Sequence, residues 1–236
     1  MNYPLYIFFG LAPSIIWLIF YLRKDVHPES NRMIIKIFFY GMLAAIPAVF
    51  LEIVVLGGLE KIILSPILMS FLNMLVGVAL VEELLKYSVV KIKVLHNPEF
   101  DEPLDAMLYM IIAALGFAAL ENILILFSLG PTFLIGKALS ITAFRFIGAT
   151  FLHALCSGAF GYFLALSFFY TRKRLILLIL GLTIAILLHG LYNFSIIEIE
   201  GNLKLLIPVI ILISLAIFIT FGFKRLKKIK SICKIK

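Results

Sequence analysis

Eight ionisable side chains stand inside apolar runs of this sequence: Glu52, Glu82, Glu83, Lys86, Glu121, Arg145, His153 and His189. A charged group at the centre of an apolar membrane span costs at least ~2.5 kcal/mol on the mildest scale, so several together need a reason. Their spacing supplies one. Glu82 and Lys86 stand four apart, as do Phe117 and Glu121, His153 and Ser157, and His189 and Asn193. Residues four apart share one face of a helix. Four segments thus each offer a short polar face, and in lipid such faces turn inward to meet one another. The simplest assembly is one buried site of carboxylates and imidazoles.

That set can hydrolyse a bond with water. One carboxylate takes a proton from water as general base. A second carboxylate beside it pushes the two apart in proton affinity, so that one acts as an acid. His and Asn donate to a developing oxyanion. Alternatively, His153, His189 and a carboxylate such as Glu121 hold a zinc ion with an open water position. The residues leave these two designs open. No H-E-x-x-H is present, and Asp105 has no intramembrane aspartate partner. Ser157 with His153, four apart on one helix, is poorly placed as a nucleophile and leaves the glutamates unexplained. Of Glu82 and Glu83, about 100° apart around a helix, Glu82 is the one expected to face the site. Lys86 reads as the structural partner of a glutamate, Arg145 as an interface anchor or the partner of a buried carboxylate, and Ser157 with Gly158 as close helix packing. Glu52 reads as structural, near the end of its helix.

The elements that must position these residues follow from apolar length. Of 236 residues, 63% are hydrophobic, and mean hydropathy is +1.14. A water-soluble domain cannot hide so much apolar surface. Helices are predicted at about 4–22, 33–56, 62–92, 104–128, 138–170, 175–197 and 203–223, with Ser65-Pro66 opening the regular part of the third. The fold class is therefore all-α, a polytopic membrane protein with about seven spanning helices, or eight if segment 131–170 is broken. Apolar Met1 to Leu22 has no basic residue ahead of it and reads as a retained helix. No linker or repeat divides the chain, so residues 1–236 read as a single membrane domain, with a motif-bearing core at about 62–197 and a basic tail at 224–236. With the N-terminus outside and the C-terminus inside, sixteen Lys and Arg fall in inner loops and tail, against Lys61, Lys137 and Lys204 outside, as the positive-inside rule demands. The formal charge of +8 thus points to anionic lipid and not to nucleic acid. Cys156 and Cys233 are not expected to pair.

The four motifs together resemble those of the PrsW family of intramembrane proteases, distantly related to the CAAX-prenyl proteases: Glu82-Glu83-x-x-Lys86, Phe117-x-x-x-Glu121-Asn122, His153-x-x-x-Ser157-Gly158 and His189-x-x-x-Asn193, in order on successive helices. Asp105 and Tyr109 also look like the family. The resemblance implies a multi-pass protein of the cell membrane. It implies cleavage of a single-span, membrane-tethered protein, typically an anti-sigma factor, near the outer boundary, with the first-motif glutamates and His153 at the catalytic centre. Glu121 stands where the prenyl-protease branch carries histidine, which argues against prenylated substrates. Two rival readings are a proton-coupled transporter or channel using a Glu/His relay, which would show inverted repeats and broken paired helices, and a non-catalytic scaffold, which the intact motifs oppose.

Overall fold

The computed structural model describes residues 3–25, 27–62, 65–130 and 135–229. The predicted basic residues Lys230, Lys234 and Lys236, Cys233, and the Pro131 start of the fifth segment lie outside the described residues. Eight α-helices are present: α1 (Tyr3–Leu22), α2 (Asn31–Leu59), α3 (Pro66–Lys93), α4 (Pro103–Ser128), α5 (Ile135–Ile147), α6 (Ala149–Phe169), α7 (Arg174–Glu198) and α8 (Leu203–Leu226), and no strand occurs among the described residues. Counting α5 and α6 as one span, seven stretches are long and apolar enough to cross a membrane. The predicted segments thus match within a few residues. The fifth is two helices, parted at Gly148, whose φ of −91° and ψ of −99° cannot continue an α-helix.

Local sequence explains the helix starts. Ser30 caps α2 by accepting from the Met33 amide at 3.2 Å. Glu102 and Asp105 form a reciprocal capping box at α4, with Pro103 in the first turn. Pro66 opens α3. Asn73–Leu80 of α3 is wound as a π-helix, immediately before Glu82; such wide turns are uncommon and cluster at functional sites.

Helix α4 is the axis of the bundle. Residues 103–119 are all buried, and α1, α2 and α6 pack around them. Gly41 of α2 lies against the Ala113 backbone, and Gly116 of α4 lies against the Phe38 carbonyl, so close that neither position has room for a Cβ. Small residues let helix backbones approach in lipid, where packing replaces the hydrophobic effect. At one end the α1–α2 and α3–α4 loops are tied by Ser30 to Glu99 (2.5 Å) and His27 to Glu102 (2.6 Å), with Tyr109 of α4 donating to Glu29 (2.6 Å). At the other end Ser70 donates to Glu198 (2.7 Å).

Candidate active site

The polar faces predicted on four segments meet where α3, α4, α6 and α7 converge. Glu82, Glu83, Lys86, His153, Ser157 and His189 are all buried there. Lys86 is the hub. Its Nζ donates to Glu82 Oε2 (2.9 Å), to Glu83 Oε1 (2.8 Å) and to His153 Nδ1 (2.8 Å), and it lies 4.5 Å from the Phe117 ring centroid. Both glutamates reach the site, although the helical projection favoured Glu82 alone. The reason is angular: Lys86 follows Glu82 by four residues and Glu83 by three, so its side chain falls between theirs.

The two carboxylates are used differently. Glu83 accepts from Lys86 and from His189 Nδ1 (3.1 Å) on Oε1, and from Ser157 (2.7 Å) on Oε2. Glu82 accepts from Lys86 on Oε2, while its Oε1 has no hydrogen bond among the described residues. Ser157, read from the sequence as packing, is thus a donor that helps hold Glu83.

The partners of each imidazole fix which nitrogen carries the proton. An ammonium only donates, so Nδ1 of His153 accepts, and Nε2 donates to Glu121 Oε2 at 2.8 Å. Glu83 as carboxylate only accepts, so His189 donates from Nδ1, which leaves a lone pair on Nε2. The rings meet edge to face with centroids 4.9 Å apart. Each imidazole therefore has a carboxylate behind it; the Nε2 lone pair of His189 is free, while the Nδ1 lone pair of His153 is taken by Lys86. This is how metal-ligating histidines are held. Glu82, His153 and His189 each present a ligand atom, and these atoms lie within 4.8 Å of one another. Two imidazoles and a carboxylate with a further position left for water match a catalytic zinc set, so the residues fit a metal. Lys86 touches two of those three ligands, and its ammonium must leave the single lone pair of His153 Nδ1 before that nitrogen can hold an ion. Glu121, named from the sequence as a ligand beside the histidines, stands behind His153.

The outer wall comes from α4 and α5. Arg145 pairs with Glu121 Oε1 (2.9 Å) and donates from Nε to Asn122 Oδ1. Asn122 in turn donates to Thr150 (3.0 Å) and to the Gly10 carbonyl (3.3 Å). Glu121 is the open side of the cluster: its side chain is 30% exposed, against 7% for Glu82 and none for Glu83. Asn193, expected to complete the site, makes no hydrogen bond among the described residues. Glu52, read as structural, is half-buried on α2. There it shares a face with Ala48 and Val55, which pack against Val81 and Leu120. Its signal was the carboxylate itself, unpaired in an apolar run.

The chain is similar to known proteins of one family. The sequence profile of the PrsW family intramembrane metalloprotease matches residues 29–221. The chain is 33% identical to Protease PrsW of Geobacillus kaustophilus over 186 residues, covering 78% of this chain and 76% of that one. It is 30% identical to Protease PrsW of Bacillus subtilis over 229 residues, 94% of each chain. It is 28% identical to Protease PrsW of Oceanobacillus iheyensis over 204 residues, 86% of this chain and 88% of the other. No solved structure matches the chain.

Proposed function

The chain belongs to the PrsW family of intramembrane metalloproteases, and on that premise we propose that Glu82 activates the water that attacks a peptide bond of a membrane-tethered protein. The protein is a multi-pass membrane protease; the roles of its residues are our reading. The observation that carries the assignment is the inequality of the two glutamates. Glu83 has both oxygens engaged by Lys86, His189 and Ser157, so it anchors three helices. Glu82 keeps Oε1 free to accept a proton from water, which a general base must do.

Lys86 neutralises the carboxylate pair and orients both members. Arg145 holds Glu121, and Glu121 holds the His153 ring by its Nε2 proton. His153 Nδ1 and His189 Nε2, with Glu82, are the ligands that would hold a zinc ion, which when bound polarises a carbonyl and acidifies water. His189 gives its proton to Glu83 and His153 gives its proton to Glu121, so neither ring donates inward, which favours this over the histidines as oxyanion donors.

Depth supports cleavage toward one face. Glu121 is seven residues from the end of α4 at Ser128, and His189 is nine from the end of α7 at Glu198. At 1.5 Å per residue these are about 10 and 14 Å. With the basic loops inside, that end is the outer one. The family resemblance of the motifs supplies the substrate in this reading, a single-span protein of the anti-sigma-factor kind, and the depth of the site suits a cut near its outer boundary. Its helix must unwind locally, because a transmembrane helix hides its peptide bonds in hydrogen bonds.

The test is co-expression with a panel of tagged single-span proteins, scored for shortened products. Glu82→Gln, Glu83→Gln and His153→Ala run beside the wild type at matched membrane levels. Products that vanish with all three support the site. Products unaffected by all three remove it.

A further inference from the structure

Helix α1 lies outside the stretch that the family profile matches, yet it touches the wall of the site twice. One contact is the Gly10 carbonyl, which accepts from Asn122. The other is Trp17, the chain's single tryptophan. Its indole N–H donates to the Phe146 carbonyl at 2.9 Å. Its ring stacks on Phe151 at 4.1 Å and 12°, and on Phe146 at 5.4 Å and 25°. Phe146 and Phe151 stand on either side of the break at Gly148. The last carbonyls of a helix lack partners within it, and the half-buried Trp17 has an indole N–H to satisfy, so each serves the other. The Tyr192 hydroxyl of α7 also lies so close to Gly148 that a Cβ there would meet it. The joint between α5 and α6 is thus gripped by side chains of α1 and α7. Arg145, the residue before Phe146, is the cation that holds Glu121, and Glu121 holds His153.

We infer that Trp17 is a positioning residue for hydrolysis: by fixing the α5–α6 joint it keeps Arg145 on Glu121 and Glu121 on His153. This rests on the residue roles assigned above. It does not touch the reacting atoms. Misplacement of a catalytic group by about 1 Å is enough to slow chemistry up to about a hundredfold, so the grip of a remote side chain has leverage.

Because the chain has one tryptophan, the coupling can be read without any substrate. Trp17 emission and its quenching by acrylamide are measured on the purified protein in lipid nanodiscs. Arg145→Lys cannot keep the forked contact with Glu121 and Asn122, and its Trp17 signal should differ from wild type. Arg225→Lys, at the Tyr162 contact of α8, should not change it. In the membrane cleavage assay Trp17→Phe keeps a ring but lacks the N–H; it should cut about tenfold more slowly at an unchanged membrane level and melting temperature. Wild-type cleavage by Trp17→Phe overturns the positioning role. Identical emission in Arg145→Lys and wild type overturns the coupling. Absence of cleavage by the wild type itself removes the protease roles, and the emission arm then decides the coupling alone.

Discussion

Lys86 Nζ and His153 Nδ1 are 2.8 Å apart, on helices α3 and α6, with both side chains buried. The contact joins two motifs, and the same ammonium is the cation paired with Glu83. Replacing Lys86 with Met leaves a buried carboxylate without its ion pair, which costs about 3–5 kcal/mol. Lys86→Met is expected to lower membrane accumulation and melting temperature sharply. Lys86→Arg does not restore them, since a planar guanidinium cannot donate toward three directions from one point. Immunoblotting of the membrane fraction measures the first, and melting in detergent with a thiol-reactive dye on Cys156, which is buried and free, in a Cys233→Ser background measures the second. Wild-type melting of Lys86→Met would show that the hub is dispensable.

Ser157 separates two chemistries. As the donor to Glu83 Oε2, its loss removes one hydrogen bond to a charged group, worth about 1.5–3 kcal/mol. Ser157→Ala is therefore expected to retain measurable cleavage at a reduced rate, with a lower melting temperature. A nucleophilic serine predicts complete loss at unchanged stability. Cleavage rate and melting, taken on the same preparation, distinguish them.

Glu52 has no ion pair among the described residues and shares its surroundings with the carboxylates of Glu82 and Glu121. Like charges in an apolar setting repel and are poorly solvated. Glu52→Gln is expected to raise the melting temperature while cleavage stays within a few-fold of wild type. A tenfold or greater loss of cleavage would instead make Glu52 part of the catalytic set.

Zinc binding has a readout independent of activity. A ligand that binds only the folded state adds about 2.7 kcal/mol at a hundred times its dissociation constant. Added Zn²⁺ is expected to raise the melting temperature of the wild type and to leave His189→Ala and His153→Ala unmoved. Equal shifts in all three proteins mean that the ion binds elsewhere.

The loop that precedes α2 carries a pH-dependent contribution. Burial raises the Glu29 carboxyl above its ordinary value of 4.5; Asp25 and Asp101 add to the rise, while hydrogen bonds with Tyr109 and Asp105 oppose it. A carboxyl raised in the folded state binds its proton more tightly there. Its contribution to stability is full below the unfolded value and is lost as pH rises through the folded one. Melting temperature is expected to decline as pH climbs from about 4.5, and Glu29→Gln should flatten that decline. A wild-type and a variant profile of the same slope would remove Glu29 as the cause.

The sequence made the spans legible because lipid demands long apolar helices, and it made the polar faces legible because residues four apart align. The convergence of Glu82, Lys86, His153 and His189 followed from the high cost of leaving any of them in lipid. What periodicity does not contain is which helix stands beside which. The grip of Trp17 on Phe146, the approach of Gly10 to Asn122, and the closeness of Glu52 to Glu121 are relations between helices far apart in the chain. A break in segment 131–170 was an open alternative in the sequence, but its place at Gly148 was not legible, because the apolar run continues through it and only the backbone turns. The two-sided use of Glu82 and Glu83 needed Lys86 in place between them.

The uneven burial of α4 bears on the membrane as a barrier. From Pro103 to Ala119 this helix is encased by its neighbours, and only near Glu121 does it open. The glutamates therefore have one flank, that of Glu121, on which the wall of the bundle is thin, while the length of α4 from Pro103 to Ala119 is closed. An opening on one flank of a helix that is closed along the rest of its length is not a path from one face of the membrane to the other.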